Sequence, residues 1–176
     1  FGIDCSGDGE DRTVLTIIDT AGKVVLIHEV KASKMNEQVS ELADVIKQYN
    51  NIKGYCEING LGIAIYDLLV EKGINVYKWV TTNESKQKLV SALILDLNTN
   101  NIQLPKVELC YKLDNEMSIY QATRTKTGKL TYGHPQGEHD DYVDSLMIAN
   151  KLRHENNYFE VYEEPEDYDD EEEDFY

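Results

Sequence analysis

Two carboxylates interrupt segments of this 176-residue sequence that otherwise have the composition of a protein core. Asp4 lies between Ile3 and Cys5, and Glu57 closes a short apolar segment that begins at Tyr55. Burying a carboxylate is costly unless it binds a metal ion or another partner. Either residue alone could equally be a strand-end charge that reaches water. Together they indicate a site, provided that their two segments are neighbouring strands.

A second group of carboxylates opens the last predicted helix, in the sequence HDDYVDS. Aspartate is a common N-cap residue, so one member of Asp140, Asp141 and Asp144 needs no functional explanation. Asp141 and Asp144 are three residues apart and share a helix face, where their charges repel each other. A divalent cation would relieve that repulsion. Oxygen ligands without a matching Cys/His set favour Mg²⁺ or Mn²⁺ over zinc.

The elements that must position these carboxylates form a mixed α/β pattern. Three β-branched segments in succession predict an antiparallel meander, and later strands alternate with amphipathic helices. Strands are predicted at 2–5, 13–18, 24–30, 52–58 and 74–80, helices at 35–49, 61–71, 83–97, 107–118 and 139–154, and a hairpin at 119–124 and 129–132. Ser33 is predicted to cap the first helix. In a sheet of strand order 3-2-1-4-5 the first and fourth strands are parallel neighbours, so Asp4 and Glu57 would converge.

Charge is unevenly distributed along the chain. The formal net charge is −16, but residues 160–176 contain 11 Asp/Glu and no Lys or Arg. Subtracting them leaves 22 acidic and 17 basic residues in 1–159, a balance of −5, which does not exclude nucleic-acid binding. We therefore predict one folded domain at 1–159 and a disordered acidic tail at 160–176. An apolar run of roughly 18 residues, as a membrane helix requires, does not occur in the sequence.

The cysteines and the basic residues add two further expectations. Three cysteines without a CxxC pair favour a reducing compartment, with each cysteine a small buried hydrophobe. Arg124, Lys126 and Lys129 surround the predicted hairpin turn, and Lys86 and Lys88 lie at the start of a helix. This densest basic cluster is a candidate DNA contact that would be salt-sensitive and largely independent of sequence. An ordinary solvated hairpin would carry the same residues.

Four motifs occur in an order that resembles the nuclease domain of phage and viral terminase large subunits. They are GIDCSGDGEDRTVL, CEINGLG, NNIQLP and GEHDDYVDSLMIAN, and the resemblance covers residues 1–154. It implies an RNase H-like fold, shared with Holliday-junction resolvases and retroviral-type integrases. It also implies a metal-dependent DNA endonuclease that cuts concatemeric viral DNA during genome packaging.

The resemblance also assigns roles to individual carboxylates. Asp4 matches the ligand of the first strand, Glu57 that of the fourth strand and Asp141 that of the last helix. Two Mg²⁺ or Mn²⁺ ions are expected, which would activate a water and stabilise the leaving oxygen of a phosphodiester. Asp4 would bridge both ions, while Glu57 and Asp141 would each hold one. Further candidates in or beside the motifs are Asp144, which completes a coordination shell, the neighbouring Asp140 and the weaker match Asp11. His139 is either a proton shuttle or a capping and packing residue.

The same resemblance implies partners and a setting. In the intact family an ATPase motor precedes the nuclease, but no GxxxxGK[ST] phosphate loop occurs in this sequence. Double-stranded DNA, the portal and the small terminase subunit are the expected partners, without a membrane, in the host-cell cytoplasm. A resolvase-like or RNase H-like nuclease would use the same carboxylates. A calcium loop starting at Asp4 lacks its final Glu, because Leu15 stands there, and a DNA-mimicking acidic module conflicts with the nearly balanced body.

Overall fold

A computed structural model describes residues 1–5, 12–50 and 52–159, with side chains through residue 155. Five strands form one sheet in the order β3-β2-β1-β4-β5. They are β1 Gly2–Asp4, β2 Val14–Ile18, β3 Val24–Glu29, β4 Gly54–Glu57 and β5 Val76–Trp79. The first three strands are antiparallel, whereas β4 runs parallel to both β1 and β5. The predicted strand order 3-2-1-4-5 is confirmed.

Helices cover both faces of this sheet. They are α1 Met35–Lys47, α2 Gly62–Glu71, α3 Asn83–Asn98, α4 Tyr111–Ile119 and α5 Asp141–Phe159. On one face, Leu42 of α1 and Leu69 of α2 pack against Ile3 of β1. On the other face, Leu146 of α5 packs with Leu93 of α3 and with apolar residues of β2 and β3. The sheet therefore separates two apolar cores, and α5 lies with α3 and α4.

Helix α5 lies directly against β1 because Gly2 leaves room for its backbone. A Cβ atom at Gly2 would lie 2.4 Å from the amide nitrogen of Ala149 and 2.5 Å from the carbonyl oxygen of Ser145. A hydrogen bond of 2.8 Å between the buried hydroxyls of Thr16 and Ser145 joins the same helix to β2. This close packing sets the distance between the end of β1 and the start of α5.

The predicted hairpin is present as a separate two-stranded sheet. It consists of β6 Gln121–Arg124 and β7 Leu130–Gly133. Its turn includes Gly128 at φ +82°, a backbone conformation that glycine adopts without strain. The side-chain amide of Asn83 donates to the carbonyl of Leu130 at 2.8 Å, which attaches the hairpin to the start of α3.

Several boundaries differ from the sequence-based expectation. The single helix predicted at 107–118 is wrong: a 3₁₀ turn at Val107–Leu109 precedes α4, because Cys110 adopts an extended φ of −150° between them. The last helix begins at Asp141 rather than at 139 and continues to Phe159. Ser33 does not cap α1, because Lys34 is the N-cap residue and forms no side-chain cap bond.

Other expectations are met or fall outside the described residues. Cys5, Cys56 and Cys110 are free cysteines, but only Cys56 is buried as expected; Cys5 and Cys110 are partly exposed, because they lie at the end of a strand and between two helical segments. Within the described ranges, no helix is long and apolar enough to cross a membrane. Asp11 and the acidic segment 160–176, predicted to be disordered, lie outside the residues that the structure describes.

Candidate metal centre

The strand pairing brings Asp4 and Glu57 together. Ile3 of β1 is the register partner of Cys56 in the parallel strand β4, so the two carboxylates follow neighbouring positions at the same sheet edge. The Glu57 side chain and its charge both raise the pKa of Asp4, so the two carboxylates lie close enough to act on each other. Each strand contributes one carboxylate here because each strand ends at its acidic residue. The predicted convergence of Asp4 and Glu57 is therefore present in the structure.

The first turn of α5 supplies two further carboxylates. Asp141 and Asp144 are both buried, with 8% of each residue exposed. Asp141 Oδ2 accepts a hydrogen bond from the backbone N–H of Arg12 at 3.2 Å, and His139 Nδ1 lies 3.9 Å from the same oxygen. Their burial follows from the contact of α5 with β1 and β2. The helix therefore presents its acidic end to the edge of the sheet where β1 ends.

The electrostatics of the cluster show that its carboxylates act on one another. Burial raises the pKa of Asp4 well above its usual range, and the charges of Asp144, Glu57 and Asp141 raise it further. Burial also raises the pKa of Asp144 to about 7; the charges of Asp140 and Glu57 add to this rise, whereas Lys86 opposes it. Like charges held this close destabilise one another unless a cation neutralises them. The cluster is therefore a site that favours cations.

Lys86 supplies one positive charge to this cluster. Its Nζ lies 2.7 Å from Asp144 Oδ2 and 2.9 Å from Asp140 Oδ2, and 17% of its side chain is exposed. Burial alone would lower the pKa of Lys86, but Asp144, Tyr120 and Asp140 together raise it above its usual value. The ammonium predicted to contact DNA is thus placed among the carboxylates of α5. A role of Lys86 in DNA binding remains a prediction.

The donor set of the cluster fits a hard divalent cation. Its donors are carboxylate oxygens, which Mg²⁺ and Mn²⁺ prefer. Asp144 Oδ1 is buried and, among the described residues, has no hydrogen-bond partner. No three Asp, Glu, His or Cys side chains in the described part of the chain are close enough to hold a metal ion. A cation would therefore have to draw the carboxylates closer together, and Asp144 could offer Oδ1 while its Oδ2 stays paired with Lys86.

The basic hairpin lies next to this cluster in the fold. Arg124, Lys126 and Lys129 are exposed at its strand ends and turn. Tyr120, immediately before β6, has its ring 5.9 Å from the ammonium of Lys86, which connects the hairpin base to the carboxylates. Lys88 is exposed and pairs with Glu84 within α3 at 2.8 Å. The three hairpin cations are therefore accessible, whereas Lys86 is held in the cluster.

Sequence reasoning missed Glu116 and the role of Lys86 in the cluster. Glu116 Oε2 accepts hydrogen bonds from the backbone N–H groups of Tyr142 at 2.8 Å and Val143 at 3.2 Å. His134 was not singled out either, and its Nε2 lies 3.6 Å from Asp140 Oδ1. No spacing pattern links these residues to the carboxylates they contact. Each contact depends on how α3, α4 and the hairpin pack around the start of α5.

A mixed sheet of this order, with carboxylates at the ends of β1 and β4 and at the start of the last helix, defines an RNase H-like domain. Residues 1–151 match the model of the family described as the terminase RNaseH-like domain, and the chain belongs to that family. The family predicted from the sequence motifs is confirmed.

Similar proteins include two curated terminase large subunits. That of Thermus virus P23-45 is 26% identical over 145 residues, which are 81% of this chain and 29% of the relative. That of Thermus phage G20c is 25% identical over 145 residues, with the same coverage. The chain thus spans 29% of the length of these relatives.

Solved structures show the same fold. The large terminase nuclease from thermophilic phage G20c superposes with a TM-score of 0.76 at 24% identity, covering 85% of this chain and 79% of that one. A crystal structure of the same nuclease contains magnesium, and it also has a TM-score of 0.76 and 24% identity, covering 85% of this chain and 78% of that one. These similarities support the RNase H-like fold found here.

Proposed function

We propose that this chain is the metal-dependent DNA endonuclease domain of a terminase large subunit, cutting concatemeric viral DNA during genome packaging. The observation that carries the proposal is that Asp4, Glu57, Asp141 and Asp144 lie in one partly buried cluster, in which a bound cation would relieve the repulsion between the carboxylates. Membership of the terminase RNaseH-like family supports it. The names of the Thermus phage relatives and the magnesium bound by the G20c nuclease support it further.

Asp4, Glu57 and Asp141 are the residues proposed to hold Mg²⁺ or Mn²⁺, and Asp144 completes the set. Two such ions, when bound, supply an activated water and stabilisation of the leaving oxygen in phosphodiester hydrolysis. Asp4 would be the central ligand of this set, because the charges of the other three carboxylates all act on it. Asp140 is a weaker ligand candidate, since its Oδ2 accepts a hydrogen bond from Lys86 and its Oδ1 faces His134, whereas Asp144 keeps Oδ1 without a partner among the described residues. Asp11 remains a weak candidate from sequence alone.

Lys86 and His139 are proposed to neutralise charge and to carry a proton at the site. Lys86 balances the carboxylates of Asp140 and Asp144 through its two ion pairs. His139 lies 3.9 Å from Asp141, which makes it a candidate to carry a proton at the site. No side-chain nucleophile is required by this chemistry, because water attacks the phosphorus atom.

Double-stranded DNA is proposed to lie across the hairpin. Arg124, Lys126 and Lys129 are exposed and would contact phosphates, with Lys86 at the inner end of the path. Contacts to phosphates give binding that varies little with base sequence. By family membership, we further propose an ATPase motor upstream in the same polypeptide. The portal and the small terminase subunit would be partners in the host-cell cytoplasm.

The test is a plasmid-cutting assay with Mg²⁺, Mn²⁺ or EDTA. Asp4→Ala and Asp141→Ala should each abolish cutting, because each removes a proposed ligand, while circular dichroism should show an intact fold. Asp44→Ala is the matched control, since Asp44 is exposed on α1 on the opposite face of the sheet. Undiminished cutting by either ligand variant at saturating Mn²⁺ would contradict the assignment.

Two further variants grade the ligand set, and two further substrates test the alternatives. Glu57→Ala should lose cutting as completely as Asp4→Ala, whereas Asp144→Ala should retain part of it. Wild-type activity in Glu57→Ala would rule out its role as a ligand.

A four-way junction and an RNA–DNA hybrid, offered beside the plasmid, separate a resolvase-like or RNase H-like nuclease from the proposed activity. A strong preference for either would contradict the terminase assignment.

A further inference from the structure

The start of α5 is capped in an unusual way. The carbonyl of Asp140 accepts the N–H of Asp144 at 2.8 Å, so Asp140 occupies the N-cap position. An N-cap aspartate normally uses its side chain to accept the N–H groups two and three residues further on. Here the N–H groups of Tyr142 and Val143 both donate to Oε2 of Glu116, which belongs to α4. Glu116 of α4 therefore caps α5 in place of the side chain of Asp140.

This arrangement leaves the carboxylate of Asp140 turned towards the site. Its Oδ2 accepts a hydrogen bond from Lys86 at 2.9 Å, and its Oδ1 lies 3.6 Å from His134 Nε2. Without Glu116, the first-turn N–H groups of α5 would need another acceptor, because buried donors are rarely left unpaired. The side chain of Asp140 stands at the position from which aspartates usually fill that need. Glu116 and Asp140 therefore compete for the same donors.

Glu116 is a costly residue to place where it lies. It is only 4% exposed, and among the described side-chain atoms its Oε1 is one of the few that are buried without a hydrogen-bond partner. Burial raises the pKa of Glu116 to about 7, although the two N–H groups oppose this shift. An apolar residue, such as Leu113 one turn earlier in α4, would avoid the burial of a charge but would leave the two N–H groups without this acceptor. The two hydrogen bonds offset the cost of burying the carboxylate only in part.

We propose that Glu116 is a positioning residue of the metal centre, which caps α5 from α4 so that Asp140, Asp141 and Asp144 all remain directed at the site. The proposal rests on the proposed function, because it assumes that these carboxylates bind divalent cations. Residues that orient metal ligands without touching the metal commonly change metal affinity by 10–100-fold when replaced. Glu116 is expected to act in this way through the backbone of Tyr142 and Val143.

The test measures Mn²⁺ binding to the metal-free protein by isothermal titration calorimetry, so it does not depend on DNA cutting. Glu116→Ala should weaken Mn²⁺ binding by about 10-fold or more, because Asp140 turns to the vacated N–H groups. Glu116→Gln keeps an oxygen acceptor of the same reach and should restore affinity to within about twofold of wild type. Glu116→Asp is one methylene too short and should resemble Glu116→Ala; it also serves as the second variant if the alanine protein does not fold.

Leu113→Ala provides the control for general loss of stability. Leu113 is 2% exposed in the same helix, so its truncation destabilises α4 without removing the cap. It should retain wild-type Mn²⁺ affinity. Asp140→Asn adds a coupling test: its effect on Mn²⁺ affinity should be smaller in the Glu116→Ala background, where Asp140 has already been diverted.

The outcomes separate this inference from the proposed function. A wild-type protein that fails to bind Mn²⁺ contradicts both. Normal Mn²⁺ binding by wild type and by Glu116→Ala overturns the role of Glu116 and leaves the metal centre intact. Equal weakening by Glu116→Ala and Leu113→Ala also overturns it, because the effect would then follow stability alone. Additive effects of Glu116→Ala and Asp140→Asn would exclude the competition for the cap.

Discussion

Lys86 shows at the level of a single residue how the charge of the carboxylate cluster is partly balanced by the protein itself. Its ammonium contacts Asp140 and Asp144 on the side of the cluster that faces α3. One positive charge cannot balance all the carboxylates that act on Asp4. Lys86 therefore neutralises the cluster only in part, and a divalent cation would supply further positive charge.

Replacing Lys86 by methionine should destabilise the metal-free protein. The change removes one partner of a buried ion pair and leaves Asp140 and Asp144 uncompensated, which costs roughly 3 kcal/mol. Saturating Mn²⁺ should recover most of that loss, because the cation then neutralises the same carboxylates. Urea unfolding in EDTA and in Mn²⁺ measures both quantities.

The matched control for this prediction is Lys88→Met. Lys88 lies in the same helix, is exposed and pairs with Glu84 on the surface, so its loss should be nearly neutral. A Lys86→Met protein as stable as wild type in EDTA would show that Lys86 is not the counter-ion of the cluster.

Among the elements of the fold, sequence reasoning succeeded where a residue's position along its own strand or helix decides its role. Asp4 and Glu57 could be paired in advance because strand order and direction place strand ends together. The role of Glu116 could not be predicted, because Glu116 lies in α4, 26 residues before Tyr142, from whose backbone N–H group it accepts a hydrogen bond. The break at Cys110 was also missed, because the apolar spacing of 107–118 continues through it. Local periodicity carries no information on contacts between helices.

Glu29 joins three elements and makes their association dependent on pH. It lies at the end of β3 and accepts hydrogen bonds from Lys112 of α4 and the hydroxyl of Tyr142 in α5. Burial alone would raise the pKa of Glu29, but these hydrogen bonds and the charge of Lys112 lower it from 4.5 to about 2. The folded state therefore favours the charged carboxylate. Its contribution to stability is complete above pH 4.5 and is lost as the pH falls towards 2.

Glu29→Gln should accordingly be less stable than wild type at pH 7, by roughly 1–2 kcal/mol. The difference in free energy of unfolding should shrink as the pH falls below 4.5, because Glu29 of the wild type then takes up a proton in the unfolded state while it stays charged in the folded state down to about pH 2. Urea titrations between pH 7 and pH 3 test this. Glu37→Gln, at an exposed ion pair with Lys34 on α1, should show little effect at any pH. A difference that stays constant across this range would disprove the assignment.

At the scale of the whole molecule, cations and carboxylates occupy adjoining regions. The net charge of −16 includes 11 acidic residues in 160–176, which lie outside the described residues. The exposed cations Arg124, Lys126 and Lys129 lie at the turn end of a hairpin whose base, at Tyr120, is 5.9 Å from the ammonium of Lys86 in the acidic cluster. DNA held by these cations would extend along the hairpin towards the proposed metal ions. Such binding would not require a basic protein overall.

The triple variant Arg124→Ala/Lys126→Ala/Lys129→Ala tests this path by its salt dependence. Each lost phosphate contact lowers the slope of log affinity against log salt by about 0.9, so three contacts predict a decrease of roughly 2–3. Fluorescence anisotropy with duplexes of different sequence should show the same loss of affinity for each.

The control for the hairpin variant replaces Lys34, Lys47 and Lys72, which are exposed at or beyond the ends of α1 and α2, and so changes the net charge equally. If both triple variants reduce the slope equally, net charge governs binding; if only the control does so, DNA lies on the face of α1 and α2. A reduction specific to the hairpin variant is the result expected, because counterions are released only where phosphates meet cations.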